Sequence, residues 1–203
     1  MPKCTIEQCN IRRNEIIDAC EKLYETMGFK DVTIKAIGTE TSFTRTSIYN
    51  YFQTKEEIFL GSLQREYERW NDDLRKKEIT SKEELAVLLA ETLSKRQLML
   101  KILAMNMYDI EENSRLERLV DFKKVICETF DIVGELYRKI KPPLTEAQFA
   151  AFQYSFFPFV YGIYPYTHAT EKQAKAMSMA GIDYKQQSIY DLALTGARKL
   201  LEV

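Results

Sequence analysis

Apolar residues recur along this chain at spacings of three and four, the period of helices with one buried stripe, while alternating strand-like runs are scarce. The first stripe holds Ile16, Cys20, Leu23, Tyr24 and Met27, and Gly28 follows where a left-handed cap would end the helix. Met1 to Ile11, ahead of it, reads as a loose arm. Thr33 is placed to N-cap a short helix that buries Ile34 and Ile37. Ser42 and Phe43 make a turn, and Thr44 caps the next helix, whose Ile48 and Phe52 point inward. Thr54 opens a further helix with Glu57 three residues on, the pattern of a capping box. That helix carries Ile58, Phe59, Leu63 and Tyr67 and ends before Thr80.

The second half repeats the grammar. Ser81 and Glu84 form another capping box, opening a helix through Leu85, Leu88 and Leu89 to about Met107. A stretch from about Ser114 to Ile140 carries Phe122, Ile126, Phe130, Val133 and Tyr137 until Pro142 and Pro143 stop it. Thr145 and Gln148 cap the next helix. Thr170 and Gln173 start a short one that Gly181 ends. Asp183 is positioned to cap the last, with Ile189, Leu192, Ala193, Gly196, Ala197 and Leu200 on one side. No internal repeat or low-complexity linker interrupts the series, so the fold class is all-α.

Composition narrows the function. The chain has 203 residues, 45% of them hydrophobic, with only seven Gly and five Pro, enough apolar material for a core and too little loop chemistry for disorder. Lys and Arg number 29 against 30 Asp and Glu, a balance that disfavours general coating of nucleic acid. Specific binding depends on the local field, and Thr41 to Lys55 holds two basic residues and no acidic one. None of Cys4, Cys9, Cys20 and Cys127 forms a C-x-x-C pair; Cys20 and Cys127 read as small buried hydrophobes, while Cys4 and Cys9 fall in the arm. No signal peptide or membrane-length apolar run stands out, so a cytoplasmic protein without membrane partners is expected. The single histidine, His168, excludes a multi-histidine metal site, and no cofactor is implied.

The segment Thr33 to Glu57, TIKAIGTETSFTRTSIYNYFQTKEE, carries the most chemistry. Two short helices about a tight turn form a helix-turn-helix, whose second helix lies in the DNA major groove. Here that helix is Thr44 to Tyr51. With Ile48 and Phe52 inward, Arg45, Thr46, Ser47, Asn50 and Tyr51 face outward. Arg pairs with guanine and Asn with adenine, each such bidentate contact giving about 1–3 kcal/mol of discrimination. Helix starts at Thr33 and Lys55 offer N–H groups to phosphates, and Lys35 and Tyr49 add further contacts.

The strings RRNEIIDACEKLYETMGF and DVTIKAIGTETSFTRTSIYNYFQTKEEIF closely resemble the DNA-binding region of the tetracycline-repressor (TetR) family over roughly residues 12 to 60. The resemblance implies an all-helical homodimer that reads a palindromic double-stranded DNA operator, with half-sites about 34–36 Å apart. It places Thr33 and Lys55 on phosphates with Tyr49 and Tyr51 nearby, and Arg45, Thr46, Asn50 and Lys35 toward bases. Family members commonly carry Gly at the turn, where this chain has Ser42; a positive φ there would cost about 1 kcal/mol. The implied organisation is a helix-turn-helix domain over residues 1–54, with its arm at 1–11, and a helical ligand-binding and dimerisation domain over 55–203. That second domain would bind a small-molecule effector whose identity the sequence does not reveal.

Residues Phe149 to His168 hold nine aromatics in twenty positions and wheel into two apolar faces. Phe149, Phe152, Phe156, Phe159, Val160 and Ile163 make the first, which reads as core. Ala150, Tyr154, Phe157, Tyr161, Tyr164 and His168 make the second. Pro158 and Pro165 leave the carbonyls of Tyr154 and Tyr161 without their helical donors. That face suits either a partner helix or a ligand. The candidate pocket wall is Trp70, Met99, Met105, Tyr108, Phe122, Phe130, Tyr137, Tyr154, Tyr161 and His168. In the resembling family the last two long helices build the dimer; the candidates here are Phe157, Tyr164, Ile189, Ala193, Gly196, Ala197 and Leu200. A ligand-responsive repressor is therefore expected, not an enzyme. Two alternatives are a helical interaction protein with a vestigial helix-turn-helix and, with less support, an enzyme using the aromatic cavity, for which no phosphate loop or paired catalytic motif exists.

Overall fold

The computed structural model describes residues 5–202, with every side chain among them except those of Ile6 and Met105. The described residues form ten helices and no strand: α1 Ile6–Thr26, α2 Ile34–Thr39, α3 Arg45–Ile48, α4 Lys55–Arg75, α5 Lys82–Ser94, α6 Gln97–Glu112, α7 Leu116–Arg138, α8 Glu146–Thr167, α9 Glu171–Met179 and α10 Ile189–Leu201. They divide into two compact units, one of Met1–Arg65 with Asn106–Lys124, the other of Glu66–Met105 with Val125–Val203. Helices α4, α6 and α7 therefore each contribute residues to both.

In the first unit, Ile16, Cys20 and Tyr24 of α1, Ile37 of α2, Ile48 of α3 and Phe52, Ile58, Phe59 and Leu63 make the core. The Tyr24 and Phe59 rings meet edge to face at 4.9 Å. Arg65 of α4 holds Asp18 and Glu21 of α1, each at 2.6 Å. Ser62 donates to the same Glu21. In the second unit the Trp70 indole N–H donates to Thr92 Oγ1 at 2.9 Å, and Thr129 of α7 donates to Asn71 Oδ1 of α4 at 2.7 Å. Both polar pairs are buried, and their hydrogen bonds remove the desolvation penalty that lone groups would carry. α10 lies against α5 and α8.

Several sequence expectations change. Helix α1 begins at Ile6, not after Ile11, because Thr5 and Gln8 form a reciprocal capping box; Cys4 and the residues before it lie outside the described residues. The helix ends on Met27 in extended backbone, without a left-handed Gly28, whose carbonyl instead accepts from Asp31 and Val32. Ile34 is only half-buried. The helix expected through Met107 breaks into α5 and α6, with the break marked by the Lys95 cap and by Arg96, whose guanidinium reaches the Arg69 carbonyl and Asp73. The last helix starts at Ser188 rather than Asp183: the Ser188 hydroxyl accepts from Asp191 N–H, while Tyr184 and Gln186 tie the preceding segment to the carbonyls of Tyr166 and Thr167. Cys127 is exposed on α7, although Cys20 is buried, where burial pushes its thiol pKa up.

Candidate nucleic-acid interface and ligand cavity

The helix-turn-helix is shorter and more cross-braced than its pattern implied. α3 spans one turn, Arg45–Ile48, and hydrogen-bonded turns carry the chain on to Phe52. Thr33 and Thr44 cap α2 and α3 through their hydroxyls. Ser42 has no positive φ; among the described residues Glu202 is the one non-glycine that does. The turn is held from outside instead. Glu15 Oε1 of α1 accepts both the Ser42 N–H and its hydroxyl, each at 2.8 Å. A serine can supply that second bond and a glycine cannot.

Thr33, Lys35, Arg45, Tyr49 and Lys55 share one concave surface of about 440 Å³ with Ile34, Thr54 and Glu56. Half of the ten expected DNA-contacting residues are thus brought together. Thr46 and Asn50 are exposed on α3 and the turn after it. The others are already engaged. Ser47 and Thr44 pair their hydroxyls at 3.0 Å, and Tyr51 accepts from Arg12 at 3.4 Å. Arg45 donates to Tyr49 Oη at 3.1 Å and lies 5.8 Å from its ring centre. Lys55 donates to the Phe29 carbonyl at 2.7 Å and sits over the Phe29 ring, so its ammonium closes the α1–α2 connection as well as facing the concavity. Glu56 was not anticipated; it stands one residue beyond the acid-free stretch and brings a negative charge to the surface's edge.

Behind this surface lies Glu57, whose side chain is wholly shielded from solvent. Arg115 grips its two oxygens at 2.6 and 2.9 Å, and the N–H groups of Arg115 and Gln53 add bonds at 3.1 and 2.8 Å. Thr54 donates to the Asn113 carbonyl beside it. Burial pushes the Glu57 carboxyl up, but the Arg115 guanidinium and the two backbone donors outweigh it and hold the group below the usual glutamate range. The local pattern gives Glu57 only a capping role, since nothing near it in the sequence points to a partner so far along the chain.

In the second unit, the second face of α8 borders a cavity of about 600 Å³. α8 supplies Gln153, Tyr154, Phe157, Pro158 and Tyr161; Ile126 and Phe130 come from α7, and Tyr67 from α4. Of the ten expected wall residues, Phe130, Tyr154 and Tyr161 line it. Trp70, Met99 and Tyr137 are core, Tyr137 lying against the Phe149 and Phe152 rings. Tyr108 is 81% exposed and Phe122 buried, both in the first unit, and the Met105 side chain lies outside those described. His168 stacks on Tyr164 at 4.4 Å and borders a separate polar hollow with Gln97 and Gln186; burial and Lys101 lower its pKa, against the Tyr164 backbone. Spacing could have found Gln153 and Phe157, which form an i, i+4, i+8 stripe with Tyr161, but not Tyr67 and Ile126, which come from other helices.

Within the single chain, the residues expected at a dimer interface fall in more than one setting. Phe157 lines the cavity and packs edge to face on Phe130. Ile189, Ala193 and Ala197 are buried within the single chain, and Tyr164 and Leu200 are half-buried. A Cβ on Gly196 would overlap the Phe159 ring of α8. The small residues of α10 therefore serve its close approach to its own neighbours, α5 and α8.

Residues 16–61 match the family described as "Bacterial regulatory proteins, tetR family", and residues 62–188 match "Tetracyclin repressor-like, C-terminal domain". An uncharacterized HTH-type transcriptional regulator, YfiR of Bacillus subtilis (strain 168), is 36% identical over 58 residues, 29% of this chain. The match spans only 28% of that regulator's length. The fatty acid degradation regulator FadR from Bacillus halodurans has a similar fold, with TM-score 0.60 at 16% identity over 94% of both chains. So does FadR from Bacillus subtilis in complex with stearoyl-CoA, with TM-score 0.59 at 17% identity over 93% of this chain and 97% of that one.

Proposed function

The chain belongs to the tetracycline-repressor family of transcriptional regulators, and from that premise we propose that it is a homodimeric repressor, released from a palindromic operator by a small molecule held beside α8. Regulators of this family bind DNA and small-molecule effectors and act as dimers. The observation that carries the reading is the pairing of two sites in one chain: a concave surface bearing Lys35, Arg45 and Lys55 on the helix-turn-helix, and an apolar cavity in the second unit. The DNA-contacting residues of this reading are Arg45, Thr46 and Asn50 toward bases, with Thr33, Lys35, Tyr49 and Lys55 toward phosphates. The dimer forms through outward sides of α8 and α10, not through Ala193, Gly196 and Ala197. Work on the operator takes place in the cytoplasm, and no helix among the described residues is long and apolar enough to cross a membrane.

A gel shift on the DNA flanking its own gene, at stated salt, tests the interface. Arg45→Ala and Asn50→Ala should each relax preference at one operator position by about 1–3 kcal/mol. Lys35→Ala should weaken binding to every sequence and lower the salt slope by about one per protomer. Specific binding undiminished in all three variants would remove α3 from the role of reading helix.

A further inference from the structure

The lining chemistry of the cavity beside α8 goes beyond its identification as a place for an effector. We propose that it takes an uncharged ligand built on planar aromatic rings, and that acyl-CoA thioesters are not its ligands. This rests on the reading of that cavity as the effector site.

Five of its walls are aromatic: Tyr67, Phe130, Tyr154, Phe157 and Tyr161. Phe130 and Phe157 stand 4.3 Å apart with their planes at 61°, so they offer ring faces in two orientations. A flat ring system can meet such walls both face-on and edge-on, as aromatic pairs prefer. The volume of about 600 Å³ is in the range that encloses a drug-sized molecule. No Lys, Arg, Asp or Glu is among the described lining residues. On α8 itself, every position from Ala147 to Thr167 is uncharged. A CoA ester brings several phosphate charges, and phosphates are held by Arg and Lys donors that this lining does not contain. A carboxylate or phosphate placed here would lose water without gaining a counter-charge, and a cation would have only ring faces to replace its water. The polar means available are the Gln153 amide and the Tyr154 phenol, suited to one or two hydrogen bonds with a hydroxyl or carbonyl. The likeness to the FadR of Bacillus subtilis, whose structure contains stearoyl-CoA, is one of fold, and this lining offers that ligand's phosphates no counter-charge.

Isothermal titration calorimetry on the full chain tests this with three probes: 2-naphthol, dodecanoyl-CoA and benzyltrimethylammonium. We expect saturable binding of 2-naphthol, at least about ten-fold tighter than either charged probe. Phe130→Ala should weaken it about ten-fold. Tyr154→Ala, at a position 81% exposed and so not needed for the core, should weaken it several-fold. A charged probe that binds as tightly as 2-naphthol, with the same sensitivity to both variants, would overturn the ligand class and leave the cavity as effector site. Binding by no probe, or binding indifferent to both variants, would overturn the cavity reading as well. Sedimentation of Tyr154→Ala supplies the remaining arm: loss of self-association with unchanged probe binding would assign this face to a second copy and overturn both.

Discussion

Glu57 is the third residue of α4, where Thr54 would make it the returning half of a capping box. Its backbone N–H does bond to the Thr54 hydroxyl at 3.1 Å, but its carboxylate reaches Gln53 and Arg115 instead. Removing the charge with Glu57→Gln leaves Arg115 without its partner. The Arg115 side chain is 37% exposed and can recover water, so the expected loss is about 1–3 kcal/mol, less than the 3–5 of a fully buried pair. Because the folded pKa is depressed, the pair contributes fully above the ~4.3 of an unfolded glutamate, and its contribution fades as pH falls through the lower folded value. Denaturant melts should therefore separate wild type from Glu57→Gln at pH 7 and converge in acid. A gap that stays constant from pH 7 down through the ordinary carboxylate range and below it would assign the loss to packing rather than charge. At this same scale Ser42 shows how a local rule can mislead. The expected strain does not arise, because Glu15, far back in the chain, supplies the acceptor that fixes the turn.

Among the elements, α8 and α10 separate what periodicity can read from what it cannot. The two-faced wheel of α8 was legible: Phe152, Phe156, Val160 and Ile163 are buried, and the face bearing Tyr154 and Tyr161 borders a cavity. α10 has an equally clear stripe, yet its small residues have a partner that the pattern does not name. A Gly-Ala stripe signals only that something comes close, and here it is α5 and α8 of the same chain. Gly196→Ala should accordingly destabilise the protein by about 1–3 kcal/mol, the usual cost of overpacking, because its methyl must displace Phe159. Thermal melting compared with sedimentation checks this; dissociation of the dimer without a drop in melting temperature would instead return the stripe to an interface between copies. The caps follow the same logic. Thr5, Thr33, Thr44, Ser81, Thr145 and Thr170 cap their helices through bonds only three residues long. Asp183 failed as a start because Tyr184 and Gln186 are tied to residues near the end of α8.

For the whole molecule, a regulator of this family needs its two sites to be coupled, and α4, α6 and α7 each supply residues to both compact units. Coupling by binding is reciprocal. The factor by which a cavity ligand lowers operator affinity should equal the factor by which operator DNA lowers affinity for that ligand, measured by titrating one at saturating levels of the other. Unequal factors would mean that the DNA and the ligand do not act on one shared equilibrium. The sequence alone determined the helical class, most of the helix starts, the location of the DNA-reading segment and the aromatic character of α8, because caps, turns and stripes are relations among residues a few positions apart. Only the tertiary structure decided which aromatics line the cavity and which are core, that Arg115 holds Glu57, that Glu15 holds Ser42, and that the small residues of α10 pack on α5 and α8. Those are contacts between residues distant in sequence, and a periodic pattern fixes which side of a helix is buried without fixing what buries it.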